Sequence, residues 1–247
     1  HLRHQAEAAG GQPLSQVVLG RPVYFVDDDA VRDEAAQASL EAAARAVGFT
    51  DIAFQFEPIA AAFDFEQHCT QEEHVLVADI GGGSVELAVG ADEQPEHAIS
   101  VPLGAGRMFR EFFDHDPPRK SEVEALRSHV DEMLAPLVDT FASEAIDHAV
   151  GTSKTFRQLS RLAAAQPGSK AQGSSEVLYA DDLEELCGRL VKLALPERMR
   201  LPRISESRAP QLAAGALVAL GIMNALGLEA LERCPWALRE GIILRRL

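Results

Sequence analysis

Residues 75–90, Val-Leu-Val-Ala-Asp-Ile-Gly-Gly-Gly-Ser-Val-Glu-Leu-Ala-Val-Gly, constrain the chain more than any other segment. The apolar run from Val75 to Ala78 has the character of a buried strand. Asp79 ends it, Gly81, Gly82 and Gly83 follow, and a second apolar run returns after Ser84 around Glu86. Strand, glycine turn and return strand predict a hairpin whose tip is nearly all backbone. Such a tip lets successive N–H groups converge on a bulky anion. A carboxylate at Asp79 repels bare phosphate, so the pattern makes sense with a divalent cation between them, held directly or through water. The plain alternative is a hairpin with a flexible tip. Asp before the glycines, Ser after them and a strand on each side argue against it.

The stretch resembles the second phosphate-binding loop of the actin, sugar kinase and heat-shock-chaperone superfamily. Its form Asp79-Ile-Gly-Gly-Gly-Ser-Val-Glu86 is similar to that of the exopolyphosphatase and guanosine pentaphosphate phosphohydrolase family in particular. The resemblance implies an α/β fold with ribonuclease-H-like (actin-like ATPase) lobes, in which mixed sheets are flanked by helices.

Composition limits the partners. The 247 residues suffice for one large domain or two small ones. A formal charge of −15 argues against nonspecific binding to nucleic acid or an anionic membrane. It also means that a polyanionic substrate needs local basic groups or metal ions. Cys69, Cys187 and Cys234 are widely spaced with no metal-ligand pattern, so a reduced cytoplasm is the expected location. The eight histidines include no zinc-type pair. No apolar run is long enough to span a bilayer, and no signal peptide is evident. A chain that opens on His1 rather than Met is read as a candidate fragment.

Before the hairpin, Val17–Phe25 is strand-like. Asp28 or Asp29 is suited to cap a helix running to about Val47, with Gly48 as its stop. Asp51–Phe56 predicts another strand, and Glu57-Pro58 opens a helix. The segments Gly20–Phe25, Ala46–Phe49 and Phe56–Ala62 resemble the nucleotide-binding domain of heat-shock chaperones. In both families a glutamate near this point lies close to the cleaved phosphate, and the resemblance implies Glu57 as its counterpart. The other reading of Glu57 is a carboxylate favoured by the helix dipole. Polar residues 67–74 coincide with the change from chaperone-like to phosphatase-like sequence. The expected division is therefore residues 1–74, a partial first lobe, and residues 75–247, a nearly whole second lobe, whether by divergence or as a hybrid.

After the hairpin, Glu96–Pro102 predicts a third meander strand. Leu103-Gly-Ala-Gly-Arg107 follows, where Arg107 either offsets phosphate charge or is a surface arginine. Asp114–Pro118 is a break. Val123, Leu126, Val130, Met133, Leu137 and Phe141 form the core stripe of a long helix, with Pro136 suited to kink it. A strand over Ile146–Val150 runs into Gly151-Thr-Ser-Lys-Thr-Phe-Arg157 and a helix, the arrangement of an anion site at a helix N-terminus. This stretch resembles a segment of short actinobacterial exopolyphosphatase relatives, where it faces the cleft; a simple capped helix is the alternative. Residues 165–175 predict a mobile loop. Residues 181–193 predict a helix, and the arginines of residues 196–203 together with Arg208 form the densest positive cluster. Ser207 is suited to cap a helix starting at Arg208. Leu231–Pro235 predicts a strand, and Trp236 opens a last helix whose sequence also resembles the phosphatase family.

The superfamily's first phosphate loop has no counterpart here, so the first lobe is expected to be incomplete and the activity of this chain alone is in question. The resemblance implies phosphoanhydride hydrolysis: Asp79 and Glu57 catalytic, Mg²⁺ held by Asp79 with help from Glu86, and phosphate gripped by Gly81, Gly82, Gly83, Ser84, Gly151, Thr152, Ser153 and Lys154. The implied partners are polyphosphate or a guanine or adenine nucleotide, with homodimerisation suggested by the family and by an exposed sheet edge. Two other readings stay open. One is a chaperone-like ATPase module; the other is a noncatalytic phosphate-binding fragment or hybrid.

Overall fold

The computed structural model describes residues 2–22, 25, 29–56, 73–91, 95–142 and 146–234. The expected helix from Glu57, the junction at 67–72, Cys69 and the last helix from Trp236 lie outside the described residues.

The N-terminal part is a small α/β unit. Helix α1 spans Leu2–Gly10, strand β1 Gln16–Arg21, helix α2 Ala30–Ala46 and strand β2 Asp51–Phe56. β1 and β2 pair in parallel, in register from Gln16 with Asp51 to Arg21 with Phe56. Parallel neighbours need a crossover, and α2 supplies it. Asp29 caps α2 by accepting from the Arg32 N–H, and Gly48, at φ +96°, lies just past its end. Both signals were legible in the sequence.

The larger part is built on β3 (Val75–Ile80), β4 (Val85–Gly90), β5 (His97–Val101), β6 (His148–Gly151), β7 (Val177–Tyr179) and β8 (Ala230–Arg233). Among the described residues these form one mixed sheet in the order β5-β4-β3-β6-β8-β7. β5, β4 and β3 are an antiparallel meander; β6 and β8 join parallel, and β7 is antiparallel at the edge. An antiparallel meander extended by parallel crossover strands is the ribonuclease-H-like arrangement.

Strand alternation divides β3 between two surroundings. Leu76, Ala78 and Ile80 enter the main core, while Val75 and Val77 pack with Val150 and Cys234 in a small separate cluster. Asp79 continues the second face, directly opposite Glu86 across the β3–β4 pair. The main core is closed by α3 (Ala105–Phe112), α4 (Lys120–Ala142), α5 (Lys154–Ala164), α6 (Ala180–Leu190) and α8 (Leu212–Ala225), with α7 (Leu195–Arg198) a single turn. α8 is buried from Leu212 to Met223 and packs against α3, α4, α5 and α6. The predicted stripe on α4 holds, with Leu126, Val130 and Phe141 fully buried, and the helix continues through Pro136.

Three expectations change. The helix placed at Arg208 starts at Leu212, because the Ala209 carbonyl accepts from buried Arg198 instead of from a helical N–H. Residues 165–175 are pinned rather than loose: buried Asp182 accepts from Ser169 Oγ and from the Lys170 and Ala171 N–H groups. β7 was not expected, being three residues defined only by pairing with β8.

Candidate anion-binding site

The glycine hairpin is held from beneath by its carbonyls. The Gly104 N–H donates to Gly83 O at 3.2 Å, the Ala105 N–H to Gly81 O at 3.0 Å and the Arg107 N–H to Gly82 O at 2.9 Å. The first turn of α3 thus takes up all three glycine carbonyls, and the helix gains acceptors for amides that otherwise lack them. The Gly81 N–H closes the turn onto Ser84 O at 2.9 Å. Among the described residues, the N–H groups of Gly82, Gly83 and Ser84 donate to no acceptor. Gly81, Gly82 and Gly83 are exposed, and a Cβ at Gly82 or Gly83 would meet nothing within 4 Å. The result is a rigid, open row of amide donors, the form of an anion-binding nest.

Gly104 makes that rigidity possible. A Cβ there would lie 2.3 Å from Gly83 C and 2.4 Å from Ser84 N, both backbone atoms. The reason for glycine at 104 is the approach of two backbones, visible only in three dimensions.

The second half of the site follows β6. Thr152 Oγ1 donates to Asp79 Oδ2 at 2.8 Å, and the Thr152 N–H bonds Ala78 O. Thr155 Oγ1 donates to Ile80 O at 3.1 Å, tying α5 to the end of β3. Ser153 caps α5 through the Phe156 N–H, and Lys154, the first helical residue, is exposed. Gly151 lies within the sheet, and a Cβ there would sit 2.8 Å from the Phe156 ring. The structure therefore brings Asp79, Glu86, Gly81–Ser84 and Gly151–Lys154 to one end of β3 and β6. Glu57 lies outside the described residues.

Asp79 is half-buried, and desolvation raises its pKa above the ordinary carboxylate range. The Thr152 hydrogen bond and the charge of Arg208 oppose that rise without cancelling it. Glu86, directly across the strand pair, is buried as well. Two carboxylates opposed on neighbouring strands favour a cation. Among the described residues no three His, Cys, Asp or Glu side chains gather to hold a metal ion. Mg²⁺ does not need three: it keeps several waters and takes one or two carboxylates plus substrate phosphates. Asp79 and Glu86 fit such a group.

The arginine cluster of the sequence divides into separate roles. Arg198 is buried at 2% exposure and donates to Leu193 O, Ala209 O and Asp116 Oδ1. It is a structural tie. Arg208 is the one whose charge reaches Asp79. Arg107 lies 3.8 Å from Glu111 on the same helix.

An open row of amides beside Asp79 and Glu86, at the end of a mixed sheet of ribonuclease-H-like order, is the arrangement of a phosphatase-type α/β lobe. The chain belongs to the Ppx/GppA phosphatase family, whose model matches residues 62–247. The Hsp70 protein model matches residues 1–92. Exopolyphosphatase 1 of Mycobacterium tuberculosis is 48% identical over 174 residues, 70% of this chain and 51% of that protein. Exopolyphosphatase 1 of Mycobacterium leprae is 45% identical over the same length, with the same coverage. The chain thus spans about half the length of the curated relatives it matches. Among solved structures, the Aquifex aeolicus Ppx/GppA phosphatase, type II variant, superposes with a TM-score of 0.75 at 22% identity, covering 100% of this chain and 80% of that one. An exopolyphosphatase from Cytophaga hutchinsonii gives 0.68 at 21% identity, covering 99% and 79%. At such identities these superpositions speak to fold alone.

Proposed function

We propose that this chain supplies the phosphate-gripping lobe of a Mg²⁺-dependent phosphoanhydride hydrolase that releases terminal phosphate from inorganic polyphosphate or guanosine pentaphosphate. The observation that carries the reading is the hairpin at Gly81–Ser84, with carbonyls anchored to α3 and N–H groups left open beside Asp79. Family membership and the exopolyphosphatase relatives support the same chemistry.

In this reading the amides of Gly82, Gly83 and Ser84 hold the terminal phosphate, with the Ser84 hydroxyl as a further donor. Thr152 fixes the Asp79 carboxylate through its 2.8 Å bond. Asp79 and Glu86 would hold Mg²⁺, which when bound neutralises phosphate charge. Lys154, exposed at the start of α5, and Arg208 supply positive charge against an overall −15. Glu57 orients or deprotonates the attacking water.

The test is phosphate release with Mg²⁺ from long-chain polyphosphate, guanosine pentaphosphate and ATP, using the chain, Gly82→Val and Glu57→Gln. Release from either of the first two, lost in Gly82→Val, is the expected result. Undiminished release in Gly82→Val removes the hairpin from the mechanism, and no release from any substrate removes the claim that this chain is an enzyme by itself. The Hsp70 match over residues 1–92 favours one second reading, a nucleotide-switched ATPase module. ATP bound selectively over polyphosphate would decide for it.

A further inference from the structure

A cavity opens at the end of α5 away from the hairpin. It encloses about 470 Å³ and is lined by Arg161, Arg189 and Arg203, with Leu162, Leu201 and Ser175 among its walls. That volume lies in the range of small-molecule sites. Arg157 and Arg233 stand close enough to add their charges at Arg161.

The gathering of cations needs an explanation. The chain has 38 acidic residues and 23 lysines and arginines, so a carboxylate is the cheapest neighbour for any arginine. Yet among the described residues Arg157, Arg161, Arg189, Arg203 and Arg233 form no ion pair. Arg189 donates to Gln166 Oε1 at 3.0 Å and Arg233 to Ser175 O at 2.8 Å, both uncharged acceptors. Arg189 and Arg203 are exposed, Arg161 is half-buried, and none of the residues lining the cavity is acidic, so three guanidiniums face one space with only water to offset their charge. Burial, and then the charges of Arg203, Arg233 and Arg157, hold Arg161 below the ordinary arginine range. Arg161 is also in the last turn of α5, where the helix dipole favours a cation. The dipole accounts for one arginine, not for the group.

We propose that this cavity is a second anion site, built for a ligand carrying two or more linked phosphate groups. Planar guanidiniums engage phosphate oxygens two at a time, and three of them around one cavity match an oligophosphate better than a single monoanion. Arg161 is seven residues beyond Lys154, so the helix rise of about 1.5 Å per residue sets the site roughly 10 Å along α5 from the hairpin end. The proposal does not depend on the hairpin being catalytic.

The test is calorimetric titration of the whole chain with sodium tripolyphosphate in EDTA at low ionic strength. In Gly82→Val, which fills open space at the hairpin, binding to the cavity remains. In Arg161→Gln/Arg203→Gln that remaining event weakens by about tenfold or more. Ser175→Glu, which places a carboxylate in the cavity wall without removing an arginine, gives the same loss with an unchanged melting temperature. Equal binding by wild type and both cavity variants would overturn the site, as would the absence of any binding to Gly82→Val. Hydrolysis by the cavity variants reports separately on the hairpin. A competition arm with ATP identifies the ligand: displacement of tripolyphosphate points to the phosphates of a nucleotide, and failure to displace it points to an inorganic chain.

Discussion

At the residue scale Asp79 holds two functions in tension. Its folded-state pKa is raised by burial, so the folded chain binds more protons than the unfolded one between the ordinary carboxylate value and the raised one. Stability therefore falls as pH rises through that window. Asp79→Asn keeps an acceptor for Thr152 and removes the charge. We expect it to melt higher than wild type at pH 7 in EDTA, with the difference shrinking toward pH 4. Mg²⁺ should raise the melting temperature of wild type and not of the variant. A variant that melts lower at pH 7 would show that the carboxylate stabilises the fold. Gly104→Ala tests the hairpin's support. Its Cβ meets backbone at 2.3 Å, so we expect a loss of about 1–3 kcal/mol in chemical denaturation and a weakened phosphate grip. Cys187, buried and with its thiol pushed up to about 12, should resist thiol reagents in the native chain.

At the element scale the strand ends depend on side-chain ties. Arg198 joins α7, the turn before α8 and the break at Asp116, with its guanidinium bonded to three oxygens. Arg198→Ala leaves the buried Ala209 carbonyl without its donor, while exposed Asp116 keeps the Leu195 N–H, and a cost of about 1–3 kcal/mol by denaturant titration is expected. A cost under about 1 kcal/mol would mean that water replaces the arginine. His148, at the start of β6, bonds Glu232 on β8 at 2.8 Å and faces Glu73 at 3.3 Å. The Glu232 bond, then the charges of Glu232, Glu73 and Asp147, raise its pKa against some desolvation. That stabilisation is complete below the unfolded value and disappears as pH rises through the folded one. The group is partly exposed, so His148→Asn should cost at most about 1 kcal/mol at pH 5.5 and still less at pH 9.

At the scale of the whole molecule, protection against exchange should follow burial. β3 is buried on both faces at the centre of the six-stranded sheet. β1 pairs only with β2 among the described residues, and its side chains are half-buried or exposed. Hydrogen exchange should therefore be slowest in β3 and β4 and much faster in β1. The reverse order would place the stable nucleus in the N-terminal unit. No helix among the described residues is long and apolar enough to cross a membrane.

Local sequence was enough for the hairpin, its neighbouring strands and the limits of α2. Those features are local: an apolar run around Gly81–Gly83, an Asp29 cap, a core stripe on α4. A family resemblance pointed to Asp79 and Gly151–Lys154 as parts of an anion site, and the fold sets both segments at one end of β3 and β6. Tertiary structure decided what local pattern does not encode. It turned the hairpin's carbonyls onto α3 through Gly104 and gave Thr152 to Asp79. It also sent Arg198 into the interior, Arg203 to the cavity at the end of α5 and Arg208 toward Asp79. Arg198, Arg203 and Arg208 look alike along the chain. Their fates differ because burial and neighbouring charge depend on residues far away in sequence, brought together only by packing.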